Sequence, residues 1–462
     1  MLSIILFAIL ATAGIAMFVI NGRKVVQDIR FGRSINRSDN KKERFKVMVL
    51  VALGQQKMFK KPIPALLHLA IYTSFIITQV ELIEIFADGL AGTHRMFRPY
   101  LGGFYTLVIS IIEVLSFLTF FATIIFLWRR NVRKVPRLAE GELSKGWPHI
   151  DGNLILVFEI MLLTFIFMMN GADEVLFNRG QSHFAGQGSF GFAITSHFAS
   201  MVFGNVSTES LHIFERIGWW GHISMVFIFL NYLPFSKHFH ILLAFPNTFF
   251  SNLWPKGRFT NLEAVTEQVK LMMDPNADPY AVPAEPAAEP VRFGAKDVTD
   301  LSWKQLLDSY TCTECGRCTE ACPAHMTGKL LSPRHIMMKT RDRLMEYGEN
   351  VRKHGKDYDD GKDLFSYISS EELLACTSCN ACTEACPVDI DPLSIITEMR
   401  RYMVMEESKM PNEWATMMTN IENNGAPWQF SPQDRFNWKD ELMKEEAAKN
   451  TTENNENTEN NI

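Results

Sequence analysis

The chain reads as all-α, a five-helix transmembrane bundle followed by a helical cysteine domain. Three observations lead there. Five apolar runs of membrane length lie before about residue 250. All eight cysteines fall between Cys312 and Cys386, in two groups of identical spacing. The segments around those groups carry helix-start signals and helical periodicity rather than strand alternation. With 462 residues there is room for two or three domains. The hydrophobic fraction of 47% is concentrated in the first half, so the net charge of −5 averages two unlike parts. No basic stripe marks a nucleic-acid surface.

A run of about 20 apolar residues crosses a bilayer. Five runs qualify: 2–20, 64–86, 101–128, 150–170 and 211–234. The first lacks the basic start and cleavage site of a signal peptide and reads as a retained span. Residues 21–61 hold twelve Lys or Arg and residues 129–147 hold six, whereas the opposite loops, 87–100 and 172–211, hold only Arg95, Arg98 and Arg179. By the positive-inside rule the N-terminus is outside and everything after Pro234 is cytoplasmic. The expected location is the cell (inner) membrane, with several passes. Segment 190–206 is apolar but too short to cross, and is expected on the outer surface or capping the bundle. Trp219 and Trp220 read as interface anchors. The Pro/Ala/Glu-rich stretch 275–290 reads as an extended linker. The divisions are then a bundle over 1–250, a linker over 251–300, a cysteine domain over 301–405 and a polar extension over 406–462 with a disordered end.

The first cysteine group reads C-T-E-C-G-R-C-T-E-A-C-P from Cys312, and the second C-T-S-C-N-A-C-T-E-A-C-P from Cys376. Both are C-x₂-C-x₂-C-x₃-C-P. Three thiolates on one short loop reach three corners of an iron–sulfur cubane, and in two-cluster ferredoxins the fourth ligates the other cluster. One [4Fe-4S] cluster is therefore expected on Cys312, Cys315, Cys318 and Cys386, and the other on Cys376, Cys379, Cys382 and Cys322. Zinc knots, the alternative, use pairs of C-x₂₋₄-C without the C-P ending. Tight metal-ligand spacing also argues for a reducing compartment rather than disulfides.

Helical signals precede both groups (SWKQLLDSY from Ser302, and 369–374) and fill the gap between them (SPRHIMMKTRDRLMEY from Ser332). With both motifs and this long gap, residues 300–405 resemble the C-terminal half of fumarate reductase iron–sulfur subunits and the small iron–sulfur subunit of heterodisulfide reductases. The resemblance implies an α-helical ferredoxin domain with two [4Fe-4S] clusters.

Three histidines bear on the bundle. His68 stands near the start of span two, His222 near the start of span five, and His240 eighteen residues later. At about 100° and 1.5 Å per residue, a continuous helix would return His240 to the face of His222, ~27 Å away. That approaches the ~30 Å bilayer core and suits a haem near each surface. On these features residues 1–250 resemble the gamma subunit of respiratory nitrate reductase and the cytochrome b subunit of heterodisulfide reductase. The nitrate reductase pattern has a second histidine ten residues into span two, where this chain has Thr78, which cannot ligate iron. One haem b is expected between His68 and His240, and a second at His222 lacks a partner on span two. The plainer reading of each histidine is a ring hydrogen-bonded at the membrane interface, and His238 competes with His240. Glu113 and Glu159 are intramembrane carboxylates, expected either in proton movement or facing a polar interior.

Together these features imply an electron-transfer subunit between the quinone pool and a cytoplasmic partner, through haem b and two clusters. The resemblance implies a partner bearing CCG repeats or a flavoprotein subunit, in a quinone-linked oxidoreductase of heterodisulfide reductase type. The alternative is a haem-free membrane anchor for a ferredoxin domain.

Overall fold

Inside a bilayer the backbone must satisfy its own hydrogen bonds, which a helix does within one segment. The computed structural model describes residues 1–139, 146–182, 190–255, 257–276 and 292–459. Among these residues, five helical stretches are long and apolar enough to cross a membrane. They are α1 (Leu2–Ile29), α2 (Pro62–Ile77) running into α3 (Gln79–Ala91), α4 (Gly103–Asn131), α5 (Trp147–Asn178), and, after the short α6 (Thr195–Phe203), α7 (Thr208–Tyr232). The break between α2 and α3 falls at Thr78, where the Gln79 side chain donates to the Phe75 carbonyl at 2.8 Å. Most of the expected linker, 277–291, lies outside the described residues, and 263–273 is helical.

Helices α5 and α7 form the closest pair because small residues sit between them. A Cβ on Gly218 would meet the Met169 backbone nitrogen at 2.8 Å. Phe7 of α1 is fully buried beside Ile85, Trp219, Ile223 and Phe227. Trp219 is thus a core residue rather than an interface anchor. Arg95, counted as a loop charge, is buried as well: it donates to Asp173 at 3.0 Å and Asn170 at 2.8 Å. Glu113 accepts from the Ile194 backbone N–H at 2.7 Å and from both donors of Thr195. It therefore caps α6, whose segment closes over the bundle with Phe190 and Phe192 packed on Tyr105, Ile109 and Ile112.

Span five does not continue to His240. Pro234 cannot donate a helical hydrogen bond, and Ser236 is extended (φ −114°, ψ 151°). A new helix, α8 (His240–Phe249), starts after that break. The eighteen-residue, same-face relation between His222 and His240 requires an unbroken helix and does not hold.

The cysteine domain is built on α9 (Trp303–Thr311), α10 (Pro333–His354) and α11 (Pro392–Arg401). Ser302 and Ser332 cap α9 and α10 through their hydroxyls, as their sequences demand. Ala295, Val298 and Leu301 are already fully buried in this core, so its packing begins ahead of residue 301. The domain sits against one end of the bundle. Arg33 and Ser302 form a parallel backbone bridge. Buried Asp28, at the end of α1, accepts from Tyr310 at 2.7 Å and Arg352 at 2.5 Å. Asp28→Ala is expected to lower stability by about 2 kcal/mol, since it strips a charged acceptor from a buried hydroxyl. Thermal unfolding in detergent measures this, and an unchanged midpoint would remove Asp28 from the docking contacts.

A second unit, residues 401–462, carries helices Asn412–Asn424 and Asn437–Glu459. The segment expected to end in disorder is thus helical to Glu459, with residues 460–462 outside the described residues.

Candidate functional site

Each cysteine loop must turn three thiols toward one point, and each does so by passing twice through the left-handed region. Glu314 (φ 56°) and Gly316 (φ 75°) do this in the first loop, and Ser378 (φ 55°) and Asn380 (φ 61°) at the equivalent places in the second. Gly and Asn tolerate that conformation, whereas Glu314 and Ser378 are held there against their preference.

Two cavities result. One, of about 340 Å³, is lined by Cys312, Cys315, Cys318 and Cys386. The other, of about 300 Å³, is lined by Cys322, Cys376, Cys379 and Cys382. Each holds three thiols of one motif and the last thiol of the other, the division expected from the sequence. Burial pushes the Cys312 and Cys382 thiols up to about 12, so neither is a thiolate at neutral pH without a cation to bind. Arg334 lines the first cavity, nearly fully buried, and its Nε has no partner. An orphaned buried donor facing four thiols suits the anionic sulfur of a cluster. The donor sets therefore fit an iron–sulfur group in each cavity. Cys379 is the exposed member of the eight.

The basic loops meet the cysteine motifs directly. Lys61 pairs with Glu320, and Lys60 with Glu384 at 2.5 Å. Those glutamates occupy the same place in the two T-E-A-C repeats. Lys57 pairs with Asp389, and Arg137 with Glu320 at 3.4 Å. Glu314 accepts from Lys237 and Arg341, each at 2.6 Å. Burial would raise its carboxyl, but these two cations hold it below the ordinary range.

Of the sequence-selected histidines, the structure brings His68 and His240 within electrostatic reach of one another, and Arg317 of the first cysteine loop reaches His68 too. His68 Nδ1 lies 3.1 Å from the Gln55 amide oxygen, and His240 Nδ1 lies 3.1 Å from the Lys237 carbonyl. An oxygen acceptor places the proton on Nδ1 and leaves Nε2 as the lone-pair donor, the form a haem ligand needs. His222 has the same arrangement, with Nδ1 3.0 Å from the Leu162 carbonyl. His238 instead packs its ring on Phe229 and His240, centroids 5.5 and 5.2 Å away. One turn from His68, the shielded Tyr72 hydroxyl has no hydrogen-bond partner among the described residues. His68 therefore has two imidazoles, His238 and His240, within electrostatic reach, and of these His240 has its Nδ1 against a carbonyl.

Sequence reading missed the far end of the bundle. There His94, Asp173 and Glu215 bring ligand-type atoms within 4.8 Å of one another. Arg95 and Arg216 already answer the two carboxylates, which makes this an ion-pair network. Arg95, a buried arginine in a short loop, gives no sequence signal.

Residues 311–390 match a family model described as a 4Fe-4S dicluster domain. Over 95% of its length the chain is 28% identical to a "probable iron-sulfur-binding oxidoreductase FadF" of Bacillus subtilis (strain 168), covering 61% of that protein. Over 88% of its length it is 28% identical to an "EtfAB:quinone oxidoreductase" of Syntrophomonas wolfei, covering 55% of it. A quarter of the chain (25%) is 32% identical to one subunit of a ferredoxin/F(420)H(2)-dependent CoB-CoM heterodisulfide reductase of Methanosarcina acetivorans, covering 60% of that subunit. The chain thus spans less than two thirds of the length of these relatives. No solved structure matches it. The dicluster match, the oxidoreductase relatives and the two four-thiol cavities together support an iron–sulfur electron-transfer role.

Proposed function

We propose that this chain is a membrane-bound electron-transfer subunit, passing electrons between the quinone pool and a cytoplasmic redox partner through haem b and two [4Fe-4S] clusters. The observation that supports the reading is that His68 interacts electrostatically with His240, with its rival His238, and with Arg317, whose guanidinium also interacts with Cys315 and Cys386 of the first four-thiol cavity. Bound there, haem b supplies a one-electron carrier inside the bilayer. His68 and His240 would hold it, with Gln55 and the Lys237 carbonyl fixing their tautomers. The lysines of the 57–61 loop hold both cysteine motifs against the bundle. Short separations between carriers then depend on these ion pairs. The basic loops lie at the end that carries the cysteine domain, which favours a cytoplasmic cysteine domain and an N-terminus outside. The name of the Syntrophomonas relative favours quinone as the membrane substrate, and the heterodisulfide reductase likeness favours a CCG-repeat or flavoprotein partner subunit.

The test is a reduced-minus-oxidised visible spectrum of the purified chain, followed by addition of a soluble quinol. Cytochrome b bands and quinol-dependent reduction are the expected results. Both cluster signals without any haem band would establish the haem-free anchor and overturn the proposal.

A further inference from the structure

The two cysteine loops are a repeat, so the positions at which they differ show what distinguishes the two sites. Between the first and last cysteines, only three positions differ: Glu314 against Ser378, Gly316 against Asn380, and Arg317 against Ala381. Each of the first-loop residues faces the bundle or its neighbours. Arg317 is buried, and its guanidinium reaches toward the carbonyls of Lys57 and Met58 at 3.4 and 3.5 Å. Its largest thiol interactions are with Cys315 and Cys386, both of the first cavity. Gly316 admits Arg334, whose guanidinium lies 2.7 Å from where a Cβ would be. Arg341 interacts with Cys312 of the same cavity. Against these three arginines stands Glu314, itself paired with Arg341 and Lys237, which leaves Arg317 and Arg334 as the charges that it does not compensate. The second cavity has Arg400 near Cys376 and Asp391 near Cys382, which balance.

Resting on the reading that each cavity holds a [4Fe-4S] cluster, we propose that Arg317 raises the reduction potential of the cluster on Cys312, Cys315, Cys318 and Cys386, making it the electron acceptor of the pair. Adding one electron makes a cluster one unit more negative, and a fixed buried cation stabilises that form. The transfer is a single electron from the reduced second cluster to the oxidised first, with no other reactant. Solvent near exposed Cys379 works in the opposite direction by stabilising the reduced second cluster. Cys376 is partly accessible to it and Cys379 exposed, but Arg317 and Arg334 of the first site are fixed in a low-dielectric interior, where a charge acts more strongly. The charge asymmetry therefore sets the order, and it directs electrons toward the His68–His240 end of the domain.

The experiment is an EPR-monitored redox titration of the full chain in detergent. In Arg317→Ala one cluster becomes harder to reduce, its reduced-to-oxidised ratio at fixed potential falling at least tenfold, or about 59 mV for one electron. The other cluster does not move. Arg317→Lys keeps the charge and restores most of the shift. Ala381→Arg moves the cluster that Arg317→Ala left alone, and in the opposite direction. Two intact clusters with unmoved potentials in Arg317→Ala overturn the inference, as does a shift in the cluster that responds to Ala381→Arg. Absence of both EPR signals from the unaltered protein fails the underlying reading instead.

Discussion

Cys386→Ser is expected to destroy the cluster of the first cysteine group and spare the cluster of its own group. Cys386 follows Cys382 by four residues, yet its thiol lines the cavity of Cys312, Cys315 and Cys318. It is buried, and the Ile390 backbone N–H donates to its sulfur at 3.4 Å, which fixes its direction. A serine oxygen is shorter-reaching and harder than a thiolate, and iron–sulfur clusters need the soft ligand. Acid-labile sulfide should fall by about half, as expected when one of two clusters is lost. Pairwise matching of EPR spectra gives the assignment. Cys386→Ser should reproduce Cys318→Ser, and Cys322→Ser should reproduce Cys376→Ser. If Cys386→Ser instead matches Cys382→Ser, each motif holds its own cluster and the cross-ligation is wrong.

If the proposed haem b is bound at the cysteine-domain end of the bundle, His68→Ala should abolish it. The ring is held by Gln55 and lies within electrostatic reach of His240, the two residues that would hold the proposed haem being His68 and His240. Removing a ligand empties the site, whereas Gln55→Leu only releases the ring. A lost outer-shell partner costs roughly 10–100-fold in affinity, so that variant is expected to bind haem weakly and lose it on dilution. Pyridine haemochrome per protein measures both. Full haem content in His68→Ala would sink the assignment, and unchanged content in both His240→Ala and His238→Ala would remove this end of the bundle altogether. His222→Ala, scored in the same assay, tells whether a second haem exists.

Much of the molecule was legible from local pattern. The five apolar runs became helices because lipid leaves the backbone no other way to pair, and Ser302 and Ser332 stood where helix caps belong. The spacing of the cysteines pointed to their division between the two cavities, since in two-cluster ferredoxins the fourth thiol of each motif serves the other cluster. The break before His240 was also present in the sequence, as Pro234, but a periodicity argument carried across it and misplaced His240 relative to His222.

Other features depend on residues far apart in the chain. Nothing local distinguishes Glu113 as a helix cap from Glu113 as a proton carrier; the segment that it caps is about 80 residues away. Arg95 looked like a loop charge and is a buried hub, because its partners Asp173 and Asn170 come from another helix. The basic residues of 57–61 carried a topology signal by composition alone, while their pairing with Glu320 and Glu384 required the folded domain to bring repeat-related glutamates to one surface. By itself the sequence determined ligand chemistry and helix length, since those follow from residue type, spacing and the bilayer's thickness. Only the tertiary structure decided that Arg317 interacts both with His68 of the bundle and with Cys315 and Cys386 of one cavity, because electrostatic proximity is a property of space and not of sequence order.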